Sequence, residues 1–122
     1  MELDWNLGAL ADGLRCYRSQ QFFAAHEHWE SVWLHSPQPE KLFLQALIQM
    51  AGAFHHFKRG NERGATSLLM AALRKLESSP ESFAGVEVAA LRAEIAAWLQ
   101  ALAAQGRHCQ LPFPQILIRQ QR

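Results

Sequence analysis

The chain has 122 residues, of which 49% are hydrophobic and 19% are charged, and its formal net charge at pH 7 is +1. This length suits one domain with one core, and the composition excludes an intrinsically disordered chain. Acids and bases are mixed along the chain, which excludes bulk electrostatic attraction to nucleic acid or an anionic membrane, so we expect neither as a partner.

The cysteines and the first residues bear on the compartment. Cys16 and Cys109 have neither the CxxC spacing of a metal or redox site nor the density of a secreted disulfide scaffold. Residues 1–6 contain acids where a signal peptide would need basic residues and an apolar run. We therefore expect reduced thiols and a cytoplasmic protein.

The first predicted element is an amphipathic helix from about Trp5 to Arg18, with Asp4 as its candidate N-cap. Its apolar residues recur at helical spacing: Leu7, Leu10, Ala11, Leu14 and Tyr17. Gly8 and Gly13 lower the helix propensity of this segment, so tertiary packing must hold it in place.

The second predicted helix, Phe22 to His35, has polar residues inside its apolar arc. The arc consists of Phe22, Phe23, Ala25, Trp29, Val32, Trp33 and Leu34. His26 and Glu30 fall within it, one helical turn apart, and Glu27 lies at its edge. Because an ionised carboxylate is costly to bury alone, Glu30 predicts a buried partner.

The third predicted helix, Lys41 to Arg59, is apolar nearly all round, which places it in the middle of the domain. Its one polar seam consists of Gln45, Gln49 and His56, with Gly52 beside them. These polar residues are too dispersed for a membrane span. The sequence Ser36-Pro37-Gln38-Pro39 ends the preceding helix, and the short link predicts that the two helices are antiparallel neighbours.

The two polar sets are therefore predicted to face each other as one buried cluster. Its members are His26, Glu27, Glu30, Gln45, Gln49 and His56. The aromatic residues predicted to line it are Phe22, Trp29 and Trp33. We expect replacement of Glu30 by alanine to cost roughly 3 kcal/mol or more, because buried donors would lose their acceptor.

The rest of the chain predicts two more helices and a tail. The segments Asn61–Glu77 and Glu87–Gln105 have helical periodicity, and 78–85 is predicted as a loop with up to one helical turn. Residues 107–122 are predicted to be extended, with Phe113 between two prolines. The prediction is an all-α, single-domain bundle of about five helices over residues 1–106, with the tail 107–122 packed on it.

Three motifs resemble a known family. They are FFAAHEHWESVW (residues 22–33), FLQALIQMAGAFHH (residues 43–56) and GNERGATSLL (residues 60–69), and they are similar to the pattern of the domain of unknown function 309 family. The resemblance implies a small all-helical protein and no established activity. Its motif positions fall on His26, Glu27, Trp29, Glu30, Trp33, Gln45, Gln49, His56, Gly60, Asn61, Gly64 and Ala65. Ala46 stands where glycine is expected, and Gly52 where alanine is usual.

The polar cluster allows a metal-site hypothesis. The sequence HEHWE (residues 26–30) differs from the zinc-protease HExxH motif by having Glu30 at the second histidine position. His26, Glu30 and His56 could form a set of two histidines and one carboxylate for zinc or iron. Glu27 or Glu30 would be the candidate catalytic acid or base, and the reaction would be metal-assisted hydrolysis.

The alternative, which we favour, is a buried hydrogen-bond network without metal or cofactor. The protein would then be an interaction or scaffold module that binds a protein partner or another copy of itself. A third hypothesis is a small-ligand binder in which the glutamines and histidines recognise a polar group. A pocket of at least a few hundred Å³ opening onto His26 and His56 would favour the enzyme or the ligand binder, and a sealed cluster would favour the interaction module.

Overall fold

The computed structural model describes residues 2–119, which form five α-helices, a short β-hairpin and an extended C-terminal segment. The helices are α1 (Gly8–Arg18), α2 (Phe22–Trp33), α3 (Glu40–Lys58), α4 (Glu62–Glu77) and α5 (Val88–Gln105). The hairpin strands are β1 (Ser82–Phe83) and β2 (Val86–Glu87), and a 3-10 turn (Gly106–His108) follows α5. The predicted all-α bundle of about five helices with an extended tail is confirmed.

Each helix packs against the next one along the chain, and α3 is the centre of the bundle. Side chains on nearly every side of α3 are buried, among them Phe43, Leu47, Met50 and Phe54. The apolar side chains of such a helix are shielded from water only if neighbouring elements cover the helix on several sides. In the structure, α2 and α4 supply most of that cover.

Helix α1 begins at Gly8 and not at Trp5 as predicted, but Trp5 is nonetheless buried. Its indole N–H donates to the carbonyl oxygen of Ala84 at 2.9 Å. Further along α1, the backbone at Gly13 lies directly against the fully buried indole of Trp29. A methyl group at Gly13 would be 2.3 Å from Nε1 of Trp29, so this contact requires glycine.

The segment predicted as a loop between α4 and α5 contains an antiparallel hairpin, in which β1 pairs with β2. Ala84 and Gly85 connect the strands with positive φ angles of 51° and 82°. Two such residues match the backbone twist of a tight hairpin turn. The C-terminal segment pairs with β2 through an antiparallel bridge between Val86 and Ile118.

The C-terminal segment is tied to the bundle by its carbonyl oxygens. The indole N–H of Trp98 donates to Pro112 at 2.8 Å, and the hydroxyl of Tyr17 donates to Pro114 at 2.6 Å. Burial, with a smaller contribution from Glu94, raises the pKa of Tyr17 far above its usual value, so its hydroxyl stays protonated and donates.

Phe113 completes an aromatic group that we call the ring cluster, made of Phe22, Phe54, Trp98 and Phe113. The Phe113 ring centroid lies 4.9 Å from that of Phe22 and 5.0 Å from that of Phe54. It stacks on Trp98 at 5.4 Å with an interplanar angle of 7°. The ring cluster thus joins α2, α3, α5 and the C-terminal segment by packing at distances favourable for aromatic pairs.

Within residues 2–119, none of the helices combines the length and apolar composition that crossing a membrane would require.

Candidate functional site

A cavity of about 170 Å³ opens to solvent between α2, α3 and α4, and we call it the histidine cavity. Its lining residues are Phe23 and His26 from α2, Ile48, Gln49, Gly52, His55 and His56 from α3, and Leu68 from α4. The α3 residues are spaced by one, three or four positions, so they form a single face of that helix over more than two turns.

Gly52 keeps the middle of this face open. A Cβ atom built there would lie 3.3 Å from the Cδ1 atom of Leu68 on α4, closer than ordinary side-chain contacts. Any larger side chain would project into the space between α3 and α4. The width of the histidine cavity therefore depends on this glycine.

Two polar atoms of the lining residues are buried and have no hydrogen-bond partner within residues 2–119. They are Nδ1 of His26 and Oε1 of Gln49. A buried polar atom that loses its water without gaining a partner costs about 1–3 kcal/mol. Native proteins retain few such atoms, and two of the three found among residues 2–119 belong to the wall of this cavity, the third being Nε1 of Trp33.

His56 is held by the corner between α3 and α4. The side-chain oxygen of Asn61 accepts from the backbone N–H of Gly64 at 2.9 Å, which directs the amide nitrogen of Asn61 toward Nδ1 of His56 at 3.1 Å. Since the amide nitrogen can only donate, Nδ1 is the acceptor. The proton of neutral His56 is therefore on Nε2.

The predicted burial of the two carboxylates is wrong. Glu27 is exposed, and the side chain of Glu30 is 51% exposed, with Oε2 at 3.7 Å from Nε2 of His26. The apolar arc of α2 is wider than its buried face, which consists of Phe22, Ala25 and Trp29. The Glu30 carboxylate is therefore solvated, and His56 is hydrogen-bonded to Asn61 instead of to Glu30.

We therefore expect replacement of Glu30 by alanine to change the free energy of unfolding by less than about 0.5 kcal/mol, as for most exposed side chains. This reverses the expectation from sequence. Urea unfolding of wild type and of the Glu30→Ala variant would measure the difference. A loss of 2 kcal/mol or more would mean that the carboxylate is an acceptor inside the protein.

The aromatic lining also differs from the prediction. None of the three predicted aromatic residues lines the cavity. Phe22 and Trp29 belong to the core. Trp33 is half-buried, and its ring centroid lies 4.7 Å from Nζ of Lys41. Phe23 takes that place, although it is 52% exposed. Its ring stacks on His26 at 6.0 Å and lies 5.2 Å from His55.

His55 also lines the cavity, although it is not a member of the cluster predicted from the sequence. Of the predicted cluster, the cavity includes His26, Gln49 and His56, whereas Gln45 is half-buried elsewhere on α3. Desolvation lowers the pKa of His55, and positive charge on Arg59, His56 and His26 lowers it further.

We expect His55 to titrate below the ordinary imidazole value of about 6.5. The unfolded chain then binds more protons than the folded protein between these two pKa values, so His55 lowers stability as pH falls through that window. NMR titration of the imidazole resonances, assigned with the His55→Gln variant, would measure the pKa. A value at or above 6.5 would contradict the desolvated environment.

No group of three or more His, Cys, Asp or Glu side chains is arranged to hold a metal ion in the part of the chain that the structure describes. In particular, the exposed carboxylate of Glu30 does not complete a site with His26 and His56. Cys16 and Cys109 are free thiols, and neither lines the cavity.

Comparison with known proteins agrees with the resemblance noted in the sequence. Residues 10–68 match the family model described as Domain of unknown function (DUF309). A protein of Aquifex aeolicus (strain VF5), described as uncharacterized, is 31% identical over 85 residues, or 69% of this chain. The alignment covers 26% of that relative, so the chain spans about a quarter of its length. The family match contains all eight residues that line the histidine cavity.

Proposed function

We propose from the geometry that the histidine cavity binds a small molecule. The description of the DUF309 family model that residues 10–68 match names no activity. The observation that supports this proposal is an open cavity with His26 and Gln49 in its wall, each with a buried polar atom that lacks a partner. A ligand that hydrogen-bonds to these side chains, or reorients them, would remove the cost of leaving the atoms unpaired.

The volume restricts the size of the ligand. About 170 Å³ falls short of the few hundred Å³ expected above for an enzyme or ligand binder and of the roughly 300–1,000 Å³ that accommodates drug-sized molecules, so the proposal rests on the polar wall and not on the volume. It is close to the ~150 Å³ of an engineered apolar cavity that binds benzene. We therefore propose a ligand with a body no larger than one six-membered ring and a small substituent.

The lining divides into two kinds of surface. Ile48, Leu68 and the ring of Phe23 offer apolar contact to the body of the ligand. Gln49 and the three imidazoles supply the polar groups that would orient it. A mostly apolar wall with a few convergent polar groups is the usual composition of small-molecule sites.

Blocking the cavity tests this proposal. A library of ring-sized fragments would be screened by NMR against ¹⁵N-labelled protein, and we expect hits to shift the amide signals around Gly52. The Gly52→Leu variant should abolish these shifts, because its side chain would occupy the space in front of Leu68.

Ser67→Leu is the matched control, because it adds the same side chain at an exposed position next to Leu68 and outside the cavity. If Gly52→Leu does not fold, Gly52→Ala should weaken binding in the same direction. The proposal fails if no fragment shifts the cavity amides, or if the hits bind equally well to both Gly52 variants.

Elemental analysis of protein purified without a histidine tag would test the metal-dependent hydrolase. Stoichiometric zinc or iron that is lost in the His26→Ala variant would replace the ligand-binding proposal with a metal-dependent one. His108→Ala is the control, since this histidine is exposed and lies outside the cavity.

A second candidate function is the interaction module, in which the chain binds a protein partner or another copy of itself. The observation that favours it is the exposure of Leu7 (65%) and Leu34 (57%). Single exposed leucines are common on monomers, so this candidate ranks below the cavity. Concentration-dependent sedimentation that Leu34→Glu abolishes would support self-association, and a monomer at all concentrations would oppose it.

We also propose the cytoplasm as the compartment, which the free thiols of Cys16 and Cys109 support.

A further inference from the structure

We infer that the ligand of the histidine cavity is a small organic anion, with a carboxylate as its charged group and an apolar body of ring size. This inference rests on the proposed function and adds the chemical class of the ligand. None of the eight residues that line the cavity carries a carboxylate. The four polar side chains of the lining can all donate hydrogen bonds from N–H groups: His26, Gln49, His55 and His56.

The orientation of two of these donors follows from their neighbours. Asn61 occupies Nδ1 of His56, so Nε2–H is the group of neutral His56 that remains to donate. The oxygen of the Gln49 amide is its buried end, which leaves the NH₂ group as the end that a ligand can reach. A carboxylate has two oxygens and accepts several hydrogen bonds, so it can accept from Nε2–H of His56 and from the NH₂ group of Gln49 together.

The charges around the cavity favour an anion as well. Arg59 directly follows α3. Its positive charge, together with those that His56 and His26 can carry, lowers the pKa of His55, so added positive charge at this imidazole is disfavoured. Two features oppose an anion: the carboxylate of Glu30 near His26, and the negative end of the α3 dipole. Glu30 is screened by water at 51% exposure, and the carbonyl oxygen of His56 already accepts from Arg59 and Asn61.

The apolar wall separates an organic anion from a simple inorganic one. Ile48, Leu68 and Phe23 line the same cavity as the imidazoles, and they gain nothing from a fully polar ion. A carboxylate attached to a ring would place its charge at the donors and its body against these side chains.

Three isosteric probes test the inference: benzoate, benzamide and benzamidine, which share a ring and differ in having a negative, neutral or positive head group. They would be titrated by NMR at pH 6.5 in a phosphate-free buffer. We expect benzoate to bind at least tenfold more tightly than benzamide, with benzamidine the weakest, and to shift the amides of Gly52 and His55. Inorganic phosphate should bind at least tenfold more weakly than benzoate.

Arg59→Gln should reduce the preference for benzoate over benzamide several-fold. The matched control is Arg63→Gln, which removes the same charge at another exposed position and should leave the preference unchanged. Gly52→Leu should abolish the benzoate shifts and so confirm where the probe binds.

The outcomes separate this inference from the proposed function. If benzamide or benzamidine binds at the cavity amides as tightly as benzoate, the anion inference is overturned and the binding site stands. If phosphate equals benzoate, the organic part of the inference is overturned. If none of the probes binds while other fragments do, the ligand class is wrong, and if the fragment screen also gives no hit at the cavity, both proposals fall.

Discussion

Replacing Gly13 by alanine is expected to destabilise the protein by about 2 kcal/mol or more, although alanine is the better helix former. Intrinsic propensity alone would stabilise α1 by about 1 kcal/mol. The new methyl group, however, would lie 2.3 Å from Nε1 and 2.5 Å from Cδ1 of Trp29. Because Trp29 is fully buried, α1 and α2 would have to separate, and overpacking of this kind costs about 1–3 kcal/mol or more.

Urea unfolding would measure this effect, and a double-mutant cycle would identify its cause. Trp29→Phe removes the indole nitrogen that the methyl group meets, so Gly13→Ala should cost clearly less in that background. Gly52→Ala is a second comparison, because its Cβ would meet only a flexible leucine methyl at 3.3 Å. A Gly13→Ala variant as stable as wild type would show that the two helices are not in this close contact.

Removing the C-terminal segment after Gln110 is expected to cost on the order of 5 kcal/mol or more, which is comparable to the whole stability of a small domain. The half-buried ring of Phe113 leaves the ring cluster, and its loss alone costs up to about 3 kcal/mol, the lower end of the range for a buried phenylalanine. Trp98 and Tyr17 lose the carbonyl oxygens that accept from them, at about 0.5–1.5 kcal/mol net for each hydrogen bond, because water can replace the acceptor once the segment is gone.

Thermal and urea unfolding followed by circular dichroism would test this, with loss of the near-ultraviolet aromatic signal as a second readout. Point variants keep the test informative if the shortened chain does not fold. Phe113→Ala should cost about 3 kcal/mol. Leu111→Ala, whose side chain is 39% exposed in the same segment, should cost less than about 1 kcal/mol. Equal effects of the two would contradict the role of the ring cluster.

The helices were predictable because each one has a continuous periodic pattern and a clear stop. The predicted third helix, Lys41–Arg59, differs from the structure by one residue at each end, and the predicted end of α5 at Gln105 is correct. Helix α1 was predicted to begin three residues too early, because Leu7 continues the apolar spacing while its side chain is 65% exposed. Local patterns fix the type of an element better than its ends.

The hairpin could not be predicted from its own residues. Strands of two residues are too short to show alternation, and they are stabilised by Ile118, a residue more than 30 positions away. Pairing across such a distance depends on the tertiary fold and leaves no local pattern.

The site was predictable only in part, for a geometrical reason. A helical wheel places His26 and Glu30 on the same side of α2, but it does not show which neighbour covers each part of that side. In the structure, His26 lies against α3 while Glu30 faces water. His55 and Phe23 were missed because their role arises from a contact between two helices, with ring centroids 5.2 Å apart.

The place of Phe113 in the ring cluster has a consequence for how the protein is made. Residues 112–116 leave the ribosome after all five helices, so the nascent bundle holds Trp98 and Phe54 without their aromatic cover until synthesis has passed this point. Domains acquire their final packing as units, and exposed apolar surface on an incomplete unit promotes aggregation. A chain that ends between residues 105 and 112 should therefore expose the rings of Phe54 and Trp98 and aggregate more readily than a chain that includes Phe113.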